Sequence, residues 1–384
     1  MSVKIITLNP WLYSELGHSL IYTQFIEKAS TINNWKFSAL LPQKSLLQDL
    51  PGNWEKKIGC PTVRHWFEAV EKRPYRRPKK RVRARQRIYY YYSTLRLLLQ
   101  ILSKNQNGKK ILFLEAFAQT DLLVLVNLLK FLPKKNFSLW IIHRYQSSTL
   151  GSDVKRFDRC HQKLIKMGVS LKLLTDSDLL KEDLEGVFNL PISVLPIHYI
   201  EPIHAKSFKP TDTITCWWPG VIREGKGLQI IRDLAASSHP KNKQIHLVVN
   251  KTSDLKLHNE SPKVTLVENH LSREDYLKWM QRSDIILLPY LDPHYEKATS
   301  SIFIEAIMAG KIPLVYPKTW MAYELKKHSL EELVIDWEIT SLPDKIVQVT
   351  SDMHVLEKLQ RIKKSYQSFH CLEKYASSLK SFLE

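Results

Sequence analysis

Asp284–Pro317 reads DIILLPYLDPHYEKATSSIFIEAIMAGKIPLVYP, and its pattern decides the fold class. Ile285 to Leu288 is an unbroken apolar run halted by Pro289, the signature of a parallel strand buried on both faces. A polar loop carrying His294, Tyr295, Glu296 and Lys297 leads to Thr299-Ser300-Ser301. Hydroxyl side chains are favoured there because they accept hydrogen bonds from the orphan backbone N–H groups that open a helix. Ile302 to Met308 then reads as a helix, Gly310 as its C-terminal cap, and Ile312 to Tyr316 as a second strand. The unit is βαβ, with a hydroxyl-rich helix start at the carboxyl end of a strand. Open α/β sheets bind anionic ligands at that place, on backbone N–H groups and the positive end of the helix dipole.

A second motif lies about 70 residues upstream. Thr211–Ile231 reads TDTITCWWPGVIREGKGLQII. Ile214 to Trp218 is strand-like, Pro219-Gly220 a turn, and Leu228 begins an apolar-periodic helix. Arg223 and Lys226 stand between them. Two cations three residues apart at a strand-to-helix turn reach one diphosphate, Arg as a planar fork and Lys as a mobile point charge. Taken alone, such a pair also suits a solvated loop. Between the two motifs, Gln244 to Val249 and Val264 to Val267 are strand-like, and Ser272-Arg273-Glu274-Asp275 opens a further helix.

Together the two motifs resemble the donor-binding region of glycosyltransferase family 4, retaining enzymes of the GT-B fold. Asp284, Pro289 and Tyr290 match one part of its pattern. Thr299, Ser300, Phe303, Glu305, Ala306, Ala309, Gly310 and Pro313 match a second, and Gly220, Ile222, Arg223, Lys226 and Gly227 a third. Ser301 stands where the family has glycine, and Lys297 where it often has a first glutamate. The resemblance implies two Rossmann-like domains facing across a cleft, with a C-terminal helix returning to the first domain. It implies transfer of a sugar from a nucleotide-diphosphate sugar with retention of configuration, without a metal or other cofactor. By the same resemblance Gly17, Gly220, Arg223, Lys226, Ser300, Ser301 and Glu305 bind the donor, Glu305 through ribose hydroxyls. His143, Arg223 and Lys226 carry catalysis. A carboxylate placed like Glu305 also serves simply to complement a helix dipole.

Length allows two domains with their own cores: 384 residues, 44% hydrophobic. We place them at 1–205, acceptor-binding, and 206–370, nucleotide-sugar-binding, with 371–384 as the returning helix. Pro202 and Pro210 mark the junction. In the first domain Val3 to Leu8, Ile111 to Leu114 and Leu139 to Ile142 read as strands, the last ending at His143-Arg144. Cys60, Cys160, Cys216 and Cys371 lie far apart, which suits a reducing compartment and offers no zinc or disulfide framework. With no apolar run of spanning length and no leader pattern, we expect a cytoplasmic protein.

Charge is uneven. Residues 1–205 carry 32 Lys/Arg against 16 Asp/Glu, and the remainder 25 against 22. Lys72–Arg87 (KRPYRRPKKRVRARQR) holds ten cations and no acid, and the helical pattern Ile88, Tyr92, Leu95, Leu99 follows it. Three readings of this run stand side by side: a solvated loop, an anionic membrane surface met by Arg76, Arg77, Lys79, Lys80 and Arg81, and nucleic acid. No nucleic-acid motif accompanies it, so a nucleic-acid partner is the weakest of the three. The expected partners are a nucleotide sugar and a glycan or lipid-linked acceptor. A GT-B binding protein that has lost its catalysis is the alternative.

Overall fold

Apolar strands such as Phe137–Ile142 and Ile285–Leu288 are buried at every residue, which requires helices over both faces of each sheet. The computed structural model describes residues 2–14, 19–59, 80–103, 108–133, 136–197, 213–220, 222, 224–338 and 341–383, with backbone alone at 80–87, 103 and 224. The chain divides into two compact units, Met1–His198 with Leu372–Glu384, and Tyr199–Cys371.

The first unit contains β1 (Ser2–Leu8), β2 (Lys36–Pro42), β3 (Trp54–Ile58), β4 (Gly108–Leu114), β5 (Phe137–Ile142), β6 (Ser170–Thr175) and β7 (Ile192–Val194). They form one sheet in the order β3-β2-β1-β4-β5-β6-β7. Every pairing is parallel, with Leu8 opposite Leu114 and Leu114 opposite Ile141. The chain winds outward from β1 to β3, then crosses to the other side of β1 to place β4. The topological switch therefore lies between β1 and β4. Ile6, Leu112, Leu125, Leu139, Phe157 and Leu184 belong to one continuous core.

Leu372–Ser381 packs on the helix Ser19–Ile32 of this unit. Tyr375 sets its ring edge-on to Phe25 at 5.1 Å, and Asn33 Nδ2 donates to the Ala376 carbonyl at 2.7 Å. Phe382 lies against Trp140 at 5.9 Å.

The second unit has five parallel strands: β8 (Ile214–Trp217), β9 (Ile245–Asn250), β10 (Lys263–Val267), β11 (Ile285–Leu288) and β12 (Ile312–Val315). Their order is β10-β9-β8-β11-β12. The switch falls between β8 and β11, the two strands whose following loops carry the sequence motifs. Both units are α/β with Rossmann-like winding. Among the described residues, no helix is long and apolar enough to cross a membrane.

Candidate functional site

The loop after β8 is held at the switch by backbone that only glycine allows. Gly227 has φ +79°, and a Cβ there would stand 2.4 Å from the Pro289 carbonyl oxygen at the end of β11. The Gly225 carbonyl accepts from the Leu291 and Asp292 amides at 2.9 and 3.0 Å. Trp218 Nε1 donates to the Lys226 carbonyl at 3.1 Å, and Asn250, ending β9, donates its side-chain amide to the Gly220 carbonyl. Gly220 (φ +93°) has no side chain between Lys226 and the next helix. A Cβ there would meet Lys226 Nζ at 3.2 Å and Ile302 Cδ1 at 3.3 Å. The half-buried Lys226 ammonium lies 5.1 Å from the centroid of the buried Tyr290 ring. Asp284 is structural: its Oδ2 accepts from the Thr215 amide at 2.8 Å and ties β8 to β11.

The helix Ser301–Met308 starts beside this loop. Ser300 is its N-cap, with extended φ/ψ and an Oγ that accepts from the Phe303 amide. The first-turn amides of Ser301 and Ile302 have no carbonyl within the helix to bond and point outward at its positive end. One turn further on, Glu305 is clamped from both sides. Its Oε1 accepts from Arg273 Nη1 at 2.8 Å and its Oε2 from the Tyr276 hydroxyl at 2.5 Å. Burial and then the Glu305 charge push the Tyr276 hydroxyl well above its ordinary pKa, which keeps it a donor. The Glu305 side chain is 15% exposed. A carboxylate accepts about four hydrogen bonds, so two acceptor positions remain after this clamp.

Gly220, Lys226, Ser300 and Ser301 are thus brought together at the β8–β11 switch, with Glu305 on the same helix. Arg223 and Gly17 lie outside the described residues, as do Arg76, Arg77 and Lys79. Lys80 and Arg81 begin the helix Lys80–Ser103, where only their backbone is described. Arg273 and Tyr276 were not singled out by the sequence: they precede Glu305 by about 30 residues in an ordinary amphipathic helix, and only packing makes them its partners.

His143 follows β5 on the inward side. It is 4% exposed, with Nε2 3.3 Å from His161 Nε2 and the rings of Phe117, Phe157 and Phe188 at 5.2–5.6 Å. Desolvation, followed by the neighbouring His161, lowers its pKa well below the usual value. Alternation along the strand end turns His143 into the core and leaves Arg144 at the carboxyl edge. Arg144 forms an ion pair with Glu115, places Nε 3.3 Å from Asp176 Oδ2, and covers the Tyr22 ring at 4.1 Å. Burial raises the Glu115 carboxyl above its usual range, while Arg144 opposes that rise.

A cavity of about 250 Å³ lined by Lys4, Glu55, Lys57 and Gln100 lies in the first unit near the amino-terminal ends of β1 and β4, at the other end of these strands from Glu115. Among the described residues, no group of three His, Cys, Asp or Glu is placed to hold a metal ion.

No protein-family model matches the chain, and no curated protein matches it. Solved structures do. HepE from Anabaena, in complex with UDP-glucose, is 12% identical, with a TM-score of 0.60 and 99% of each chain covered. Sucrose-phosphate synthase from Thermosynechococcus elongatus is 11% identical, with a TM-score of 0.63 over 99% of this chain and 98% of that one. The N-terminal domain of Candida albicans trehalose-6-phosphate phosphatase has a TM-score of 0.64 at 11% identity, over 100% and 97%. The likeness spans both units, and the fold is GT-B.

Proposed function

We propose that the chain is a retaining, metal-independent glycosyltransferase that takes its sugar from a nucleotide-diphosphate sugar bound to the second unit. The observation that carries this reading is the meeting of Lys226, the Gly220 turn and the Ser300-capped helix start at the β8–β11 switch. As a glycosidic bond breaks, negative charge collects on the leaving diphosphate. A fixed ammonium and a helix N-terminus oppose that charge without reorganising, which is the most effective form of electrostatic catalysis. Arg223 adds a second cation in this reading, and Glu305 offers its two remaining acceptor positions to ribose hydroxyls. The solved complexes with UDP-glucose and with UDP-2-fluoro glucose make UDP-glucose the first donor to try.

The test is titration of UDP, ADP, GDP and UDP-glucose into wild type, Lys226→Ala and Glu305→Ala. Saturable binding of one nucleotide, weakened about tenfold or more by each substitution, is the expected result. Folded wild type that binds no member of the panel overturns the reading. Binding without turnover of the bound sugar nucleotide favours the alternative of a non-catalytic binding protein, which Ser301 and Lys297 motivate.

The acceptor in this reading is a glycan or lipid-linked. The helix that continues the basic run exposes Ile88 (70%), Tyr89 (48%) and Tyr92 (62%), a composition suited to an anionic membrane surface. Flotation with anionic vesicles, lost on neutralising Arg76, Arg77, Lys79 and Lys80, is the expected outcome. Equal flotation of the neutralised variant removes the membrane from the proposal.

A further inference from the structure

We propose that Lys36, Lys4 and Lys110, abreast on three adjacent strands near the amino-terminal end of the first sheet, form a binding site for a small anion bearing several phosphoryl groups. The inference stands on the first unit alone and does not depend on the donor site.

Strand register creates the site. Lys4 of β1 is paired with Lys36 of β2 on one side and with Lys110 of β4 on the other. Residues paired across neighbouring parallel strands emerge on the same face, and neighbouring strands lie about 4.8 Å apart. Three lysine side chains therefore leave one face from backbone positions spanning about 10 Å. Like charges side by side on a sheet face repel, so the row itself does not stabilise the sheet.

Two cavities adjoin the row. One, of about 310 Å³, is lined by Lys4, Lys36, Lys109 and Lys110, and none of its described lining residues is acidic. The second, the 250 Å³ cavity described above, shares Lys4 and Lys110 with it. Its one lining acid, Glu55, is engaged by Lys57 in an ion pair. Two of the lysines are tethered to carbonyl groups. Lys110, 9% exposed, donates from Nζ to the Ile101 carbonyl at 2.8 Å, and Lys109 Nζ donates to the Leu383 carbonyl at 3.4 Å. A carbonyl orients an ammonium without cancelling its charge. Lys36 is exposed and Lys4 half-buried, so an anion reaches both from solvent.

This chemistry selects the guest. Lysine is a compact point charge with three donors, suited to phosphate oxygens, whereas a lone carboxylate is best met by a planar guanidinium fork. A single monoanion answers one ammonium and leaves the rest of the row in repulsion. Phosphoryl groups joined in one small molecule answer two or three at once. A cavity of about 300 Å³ suits such a molecule.

The probe is inorganic tripolyphosphate, titrated calorimetrically at low salt into the whole chain as wild type, Lys226→Ala, Lys36→Gln and the double variant Lys4→Gln/Lys36→Gln. We expect a saturable site that survives Lys226→Ala, is weakened about tenfold by Lys36→Gln and is lost from the double variant. Thermal melting separates binding from structure. Without the probe, relief of repulsion leaves Lys36→Gln at least as stable as wild type, and tripolyphosphate raises the melting temperature of wild type but not of the double variant. Should the double variant fail to fold, the exposed Lys36→Gln decides alone. No saturable binding to wild type, or equal binding by wild type and Lys36→Gln, overturns the proposal. Binding lost in Lys226→Ala also overturns it and assigns the anion to the second unit.

Discussion

Arg273 Nη1 stands 2.8 Å from Glu305 Oε1, so the carboxylate assigned to ribose is already held by its own protein. The clamp fixes the rotamer in advance, and preorganisation of this kind reduces the ordering cost of binding. Removing it with Arg273→Ala should weaken UDP by about fivefold, equivalent to about 1 kcal/mol. The same substitution should leave 2′,3′-dideoxy-UDP nearly unchanged, because that ligand has no ribose hydroxyl for Glu305. Calorimetry with both nucleotides checks this. An equal loss for the two would place Glu305 away from the ribose.

Gly227 and Gly168 separate backbone strain from steric overlap. Both have φ above +70°, but a Cβ at Gly168 meets nothing within 4 Å, whereas one at Gly227 overlaps the Pro289 carbonyl at 2.4 Å. Gly168→Ala should cost about 1–2 kcal/mol of stability from the left-handed backbone alone. Gly227→Ala adds the displacement of β11's end and should cost about 1–3 kcal/mol more. Urea denaturation of the two variants measures the difference. Equal losses would show that the loop yields without disturbing Pro289.

Acid stability should depend on the buried histidine pair. Desolvation lowers the pKa of His161 to about 3, and that of His143 falls in the same direction. Below pH 6.5 the unfolded chain takes up protons that these rings refuse in the fold. The stability held by keeping them neutral is intact above 6.5 and is lost as pH falls towards 3. One such group contributes a slope of about 1.4 kcal/mol per pH unit. His161→Phe, set among Phe157 and Phe188, should make the acid limb shallower by about that amount. Stability measured at pH 7, 6 and 5 decides it, and an unchanged slope would mean that His161 titrates normally.

Tyr375 anchors the C-terminal helix in the first unit. Its ring is wholly buried against Phe25, and aromatic-to-alanine changes at such positions cost about 3–5 kcal/mol. Tyr375→Ala should therefore raise amide exchange in Ser19–Ile32 while leaving Ile285–Val315 protected. Exchange that rises equally in both segments would contradict an anchoring role confined to the first unit.

Two features of this protein were legible in the sequence alone. Apolar runs at Ile285–Leu288, Gln244–Val249 and Leu139–Ile142, each followed by turn or capping residues, announce parallel strands because a strand buried on both faces must be apolar throughout. Glycines at 220 and 227 and the Ser300 cap announce their geometry, since local backbone constraints are written locally. The polar edge strand Trp54–Ile58, with its Lys and Glu side chains half exposed, carries no such signature. Only the tertiary structure decided which way His143 turns, that Arg273 and Tyr276 grip Glu305, and that Glu115 and Arg144 meet at one sheet edge. Those contacts join residues about 20 to 30 positions apart through strand order and register, and neither quantity is encoded in any short stretch of chain.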